Sequence, residues 1–137
     1  MGVVIDASVL IEHERGRFDL QSKISGRESE EFFLSVVTAS ELLHGVHRAS
    51  EPAVRARRSA FVEGILERFP LLPVDVATAR THARIWAELA AAGALIGAHD
   101  LWLAAACITH GLTMATGNLR EFQRVPGLSV ECWANDA

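Results

Sequence analysis

The chain has 137 residues, 50% of them hydrophobic and 22% charged, with a net charge of −4. That is the size of one domain with a real core, and it excludes a disordered chain and a generic cationic coat for nucleic acid. The two cysteines, Cys107 and Cys132, form neither a disulfide framework nor a metal-ligand spacing.

The opening MGVVIDASVLIEHERG has no basic segment ahead of its short apolar run, so no signal peptide is expected. No apolar stretch approaches the roughly 20 residues of a membrane span. A soluble, cytoplasmic protein is the expectation. VVID (3–6) is a β-branched run suited to a buried parallel strand. ASVLIEHE then reads as helix, and GRFDLQSKISGRESEE as a polar connection with a helical turn or two. FFLS (32–35) suits a second strand, and TASELLHGVHRAS (38–50) has helical spacing at Leu42, Leu43, Val46 and Ala49. After Pro52, the positions Val54, Phe61, Val62, Ile65, Leu66 and Phe69 make an amphipathic stripe that Pro70 ends. LLPV (71–74) is a candidate strand. DVATARTHARIWAELAAAG is a helix closed by Gly93. A further helix runs from GAHDLW to Gly111, followed by strand LTMAT (112–116), a short helix in NLREFQRV and a last strand in LSVECW (128–133). Strands alternating with helices predict a three-layer α/β/α domain, one short parallel sheet flanked by helices, over residues 1–137.

Four polar residues fall at strand ends or helix starts. Asp6 ends the first strand, Glu41 opens the helix after the second, Asp100 lies in the first turn of a later helix, and Asn118 follows the fourth strand. In an open α/β sheet these positions share the ligand-binding edge. Gathered carboxylates repel, and a hard divalent ion, Mg²⁺ or Mn²⁺, removes the conflict. Singly, each residue also has a capping explanation. TASE is a capping box from Thr38 to Glu41, NLRE a second from Asn118 to Glu121, and Asp6 and Asp100 suit helix N-termini. Asp100 fits a cap least well, because Leu103, Ala104, Cys107 and Ile108 share its helical face.

VVIDASVLI, SVVTASELLHG and IGAHDLWLAAACITHGLTMATGNLREFQRVPGLSVECW together resemble the PIN domain of VapC-type toxins. The likeness lies in hydrophobic-Asp-x-Ser, Thr-x-x-Glu-Leu, Asp-x-x-x-Ala-Ala and Thr-x-Asn-x-x-x-Phe, in that order. It implies a Mg²⁺-dependent endoribonuclease, with Mn²⁺ as a substitute ion, silenced by a cognate antitoxin and forming a homodimer. It implies that Asp6, Glu41 and Asp100 hold the metal. Asn118 falls where many PIN domains carry a fourth acid, a departure bearing on a second metal. Ser8 and Thr116 match hydroxyl positions that orient the carboxylates or the scissile phosphate, and they also suit ordinary turns. The implied chemistry is attack on an RNA phosphodiester by a metal-activated water, with no separate general base.

Arg55, Arg57 and Arg58 read either as a solvated helix face or as an RNA-backbone rail. Arg120 is a candidate phosphate contact or a surface residue. His99 points about 100° away from Asp100 on a helix and reads as a rim residue. Trp86, Trp102 and Trp133 read as core or interface residues. The resemblance implies that the apolar surfaces around Val9 to Ile11, Leu42 to Val46 and Phe61 to Phe69 form a groove for the antitoxin and a homodimer face; otherwise these stripes simply pack together. Two rival functions are a catalytically inactive PIN-like binding module, whose acids are only caps, and a phosphoaspartyl phosphatase. The phosphatase wants a second acid two residues after its nucleophile, where this chain has Ser8.

Overall fold

The computed structural model describes residues 2–134. Five parallel strands, β1 (Gly2–Ile5), β2 (Glu31–Ser35), β3 (Leu71–Leu72), β4 (Thr113–Thr116) and β5 (Val130–Cys132), form one sheet in the order β3-β2-β1-β4-β5. The helices between them are α1 (Ala7–Glu14), α2 (Leu20–Ile24), α3 (Val36–Arg48), α4 (Pro52–Arg68), α5 (Val76–Ala91), α6 (Ala98–His110) and α7 (Leu119–Phe122).

Side-chain alternation along the strands divides the core in two. Val3, Ile5, Phe32, Leu34 and Ala115 face a cluster completed by α1 to α4, including Leu10, Leu42, Val62 and Ile65. Val4 and Met114 face the other cluster, built with Ile85, Leu89, Leu103, Cys107 and Phe122 from α5, α6 and α7. Helices on both faces of a parallel sheet are the predicted α/β/α layering. Burial also accounts for the continuous apolar character of β1, whose four residues are all buried. His82 stacks on Trp102 with ring centroids 3.6 Å apart and ties α5 to α6. Trp133 is buried against Phe32, whereas Trp86 is 54% exposed and is not a core residue.

Several boundaries move, for local reasons. β3 keeps only two residues, since Pro73 has no N–H for a ladder. α3 starts at Val36, two residues earlier than expected, because Ser35 and not Thr38 is its cap. Gly93 and Gly111 close α5 and α6 at φ 66° and 65°, the left-handed conformation that favours glycine.

The strand order places a topological switch between β1 and β4. The chain moves outward from β1 through β2 to β3, then crosses back to β4 and outward to β5. A crevice beyond the strand ends opens at such a point.

Candidate active site

The parallel register pairs Ile5 with Ala115, so Asp6 emerges beside Thr116 at the switch point, and its N–H donates to the Ala115 carbonyl at 2.9 Å. Asp6 occupies the N-cap position of α1 but makes no capping hydrogen bond through its side chain. Its Oδ2 instead accepts from Ser8 Oγ and Thr116 Oγ1, both at 2.8 Å. Those hydroxyls are oriented from behind. Ser8 Oγ accepts from the Gly117 N–H at 3.1 Å, and Thr116 Oγ1 from the Asn118 N–H at 2.9 Å. Each hydroxyl therefore directs its one proton at Asp6. Burial raises the Asp6 pKa above the usual carboxylate range, and the two hydroxyl bonds oppose the rise.

Glu41 is not part of a capping box. Ser35 Oγ accepts from the Val37 N–H at 3.1 Å, and Thr38 lies inside α3 with its hydroxyl buried. Glu41 is left with a buried Oε1 that finds no hydrogen-bond partner among the described residues. His99 Nδ1 stands 3.7 Å from that oxygen. Burial raises the Glu41 pKa, His99 counteracts, and the charge of Asp6 adds to the rise.

Asp100 sits in the first turn of α6 without a capping bond; Gly97 is the N-cap. Its pKa is pushed up to about 8 by burial first, then by a hydrogen bond with Glu121 and by the charges of Asp6, Glu121 and Glu41. Glu121 moves the opposite way, its carboxylate held by Asp100 and by the Gly97 N–H and Asn118 Nδ2, each at 2.7 Å. Burial and the hydrogen bond between them thus favour protonation of Asp100 over Glu121.

Asp6, Glu41 and Asp100 lie within electrostatic reach of one another, and Asn118 links Thr116 to Glu121. Asn118 does not cap α7; its amide donates to the Glu121 carboxylate, the reverse of the capping box read from the sequence. Glu121 is the residue that sequence reasoning missed. Its signal was present as an acid three residues after Asn118 at the same sheet edge, but the capping pattern absorbed it. Arg120 is exposed on α7 and makes no contact with these acids. Two open cavities flank the group. One, of about 740 Å³, is lined by Ser8, Ile11, Phe18, Asn118 and Trp133 among others. The other, of about 470 Å³, is lined by Ile11, Ser40, Glu41, His44, Arg48 and His99.

Among the described residues, no group of three or more acidic, histidine or cysteine side chains stands close enough together to hold a metal ion as it is. The donor chemistry still fits a hard divalent cation. The oxygens are carboxylate oxygens, one of them is buried and unpartnered, and burial with neighbouring negative charge raises the Asp100 pKa.

The PIN domain family matches residues 3–128. Ribonuclease VapC1 of Rickettsia felis is 35% identical over 133 residues, covering 95% of each chain. The tRNA(fMet)-specific endonuclease VapC of Salmonella typhimurium is 35% identical over 122 residues, covering 89% of this chain and 85% of its own. The solved DNA-bound VapBC of Salmonella typhimurium superposes with a TM-score of 0.88 at 30% identity, covering 98% of this chain and 99% of that one. VapBC2 of Rickettsia felis, bound to a promoter DNA fragment, gives the same TM-score of 0.88 at 21% identity, over 97% and 99% of the two chains. This chain belongs to the PIN-domain family, among the VapC ribonucleases.

Proposed function

We propose that the chain is a VapC-type toxin in which Asp6, Glu41 and Asp100 hold a divalent cation, Mg²⁺ or in its place Mn²⁺, and hydrolyse an RNA phosphodiester. The observation that carries this is the buried, unpartnered Oε1 of Glu41, within electrostatic reach of two further carboxylates at the switch point. A bound cation supplies polarisation of the phosphate and a water activated for attack. The protein supplies the positions. Ser8 and Thr116 hold Asp6 through Oδ2. Glu121 takes the hydrogen bond of Asp100 and is itself fixed by Gly97 and Asn118. The proton on Asp100 leaves when the site is loaded, so affinity rises with pH.

The alternative of an inactive binding module whose acids serve as caps loses support here. No side-chain cap forms on α1, α6 or α7, and Ser35 caps α3. A solved relative at 31% identity, VapBC-5 of Mycobacterium tuberculosis, belongs to the VapBC family of toxin–antitoxin systems, which supports a cognate antitoxin as partner of this chain. We propose in addition that the chain pairs as a homodimer and that residues 1–137 act as one domain, a reading the family match over residues 3–128 supports. Among the described residues no helix is long and apolar enough to cross a membrane, and the place of action proposed is the cytoplasm.

The test is cleavage of a labelled RNA by wild type, Glu41→Gln and Asp100→Asn with Mg²⁺, with Mn²⁺ and with a chelator, alongside melting temperatures in the same buffers. Wild type should cleave only with the ion and melt higher in its presence; both variants should lose both effects. Cleavage that persists in chelator, or in folded Asp100→Asn, overturns the assignment.

A further inference from the structure

The arginines around α4 divide by what they touch. Arg55 donates from Nε to the Ala49 carbonyl at 3.0 Å, and Arg58 from Nη1 to the Gly45 carbonyl at 3.2 Å. Both bonds cap the C-terminal carbonyls of α3, so the expected rail of Arg55, Arg57 and Arg58 is not one set. Two of the three staple α4 to α3. The exposed guanidinium of Arg57 makes no hydrogen bond or ion pair with another described residue, and the same holds for Arg48 at the end of α3 and Arg15 just past the end of α1.

These unpaired cations line one continuous depression. The cavity at Glu41 and His99 is lined by His44 and Arg48. It adjoins a second, between α1, α3 and α4, through Ile11, Glu41 and Arg48. That one adjoins a third, lined by Arg15, Arg57 and Arg58, through Glu14, Arg15, Arg58 and Phe61. Arg48 has no capping duty to explain it, because Arg55 and Arg58 already occupy the carbonyls of its helix end. On a chain of net charge −4, a file of arginines leading to a carboxylate cluster is a local reversal of sign.

We propose that this depression seats the phosphates of single-stranded RNA flanking the cleaved bond, with Arg48, Arg57 and Arg15 as the backbone contacts and Glu41 at its catalytic end. This rests on the ribonuclease reading above. Arginine suits the role, since its planar fork meets phosphate oxygens in pairs. The contacts carry no base information, so the groove gives register and affinity, not sequence choice.

The experiment uses the full chain and a fluorescein-labelled 12-nucleotide single-stranded RNA. In an Asp100→Asn background, binding is titrated from 50 to 300 mM KCl with and without Arg48→Gln plus Arg57→Gln. Losing two phosphate contacts should flatten the slope of log K against log salt by about 1.4 and weaken binding at 50 mM about tenfold or more. In the otherwise wild-type chain the same pair should raise KM and leave kcat within about twofold. Arg120→Gln, outside the groove, should change neither. Equal melting temperatures exclude misfolding as the cause. An unchanged slope, or a kcat loss with KM intact, overturns the proposal. So does a pair of variants that keeps RNA binding but fails to bind the antitoxin, because the groove then belongs to an acidic protein segment. If wild type fails to cleave yet the slope flattens, the nuclease reading falls and the backbone groove stands.

Discussion

Replacing Asp100 by Asn separates electrostatic strain from chemistry. Asp100 keeps its proton to about pH 8, whereas an unfolded aspartate loses it near 3.9. Between those values the folded chain binds more protons than the unfolded one. This stabilisation is therefore complete below the unfolded pKa and is lost as pH rises through the folded one. Each pH unit in that window is worth at most about 1.4 kcal/mol. Asp100 is only part-buried, and solvent screening shortens the pKa shift and so narrows the window, leaving about 1 kcal/mol of pH dependence. From pH 6 to 8 the metal-free wild type should lose about 1 kcal/mol, roughly 3–5 °C in Tm at this chain length. Asn reproduces the neutral acid, with an amide that donates to Glu121. From pH 6 to pH 8 in EDTA the melting temperature of Asp100→Asn should rise relative to wild type by about 3–5 °C. His82, whose pKa burial lowers, titrates in both proteins and cancels. Mg²⁺ or Mn²⁺ at 100 times its Kd should restore about 2.7 kcal/mol to wild type and little to the variant. Thermal melts at four pH values, with and without metal, give the whole comparison. Parallel pH profiles, or equal metal shifts, would refute the clustering of charge at Asp100.

Thr116→Val leaves the buried Asp6 Oδ2 and the Asn118 N–H each short of a partner and should cost about 1–3 kcal/mol by urea unfolding; Ser8→Ala, on a part-buried side chain, should cost less. Glu121→Gln sets an NH₂ against either the Gly97 N–H or the Asn118 amide, so cleavage and metal affinity should fall about 10–100-fold, read by initial rates and metal titration. Asn118→Asp puts a carboxylate where an amide now donates to Glu121, so the metal-free Tm should fall at pH 8 and recover with Mn²⁺. Leu103→Ala, at a fully buried position of α6, should cost about 2.7–5 kcal/mol by urea unfolding, with activity per folded molecule unchanged.

The sheet and its flanking layers were legible because period-2 and period-3.6 patterns survive in short elements. VVI alternates between two cores without any polar interruption, and Gly93 and Gly111 stand where left-handed closure is needed. Asp6 and Asp100 were legible as edge residues from their positions alone. Misread were the caps. Ser35, Thr38, Glu41, Asn118 and Glu121 all carry capping chemistry, and sequence spacing does not say which donor the backbone presents. Ser35 won at α3 because the strand ends there, one residue before the helix begins. That choice displaced Thr38 into the core and released Glu41. Tertiary placement, not spacing, turned Glu121 toward Asp100.

The same choice of caps explains how the carboxylates stay together before any ion arrives. Asp6 borders the start of α1 and Asp100 lies in the first turn of α6, where the helix dipole offsets negative charge by about 0.3–1 kcal/mol each. Two hydroxyls stabilise Asp6, and two N–H donors stabilise Glu121. Two imbalances survive these compensations among the carboxylates, beside a buried Thr38 Oγ1 that also lacks a partner among the described residues. One is the proton retained by Asp100, and the other is the Glu41 oxygen with no donor. A water would satisfy the oxygen but not the repulsion, and a lysine would satisfy the repulsion while closing the pocket. A divalent cation of the kind proposed would answer both at once, since it would displace the proton and could take the free oxygen as a ligand. The residual strain of the metal-free fold thus has the charge and donor type that its proposed cofactor relieves, which is why stability and activity should respond to the ion through the same side chains.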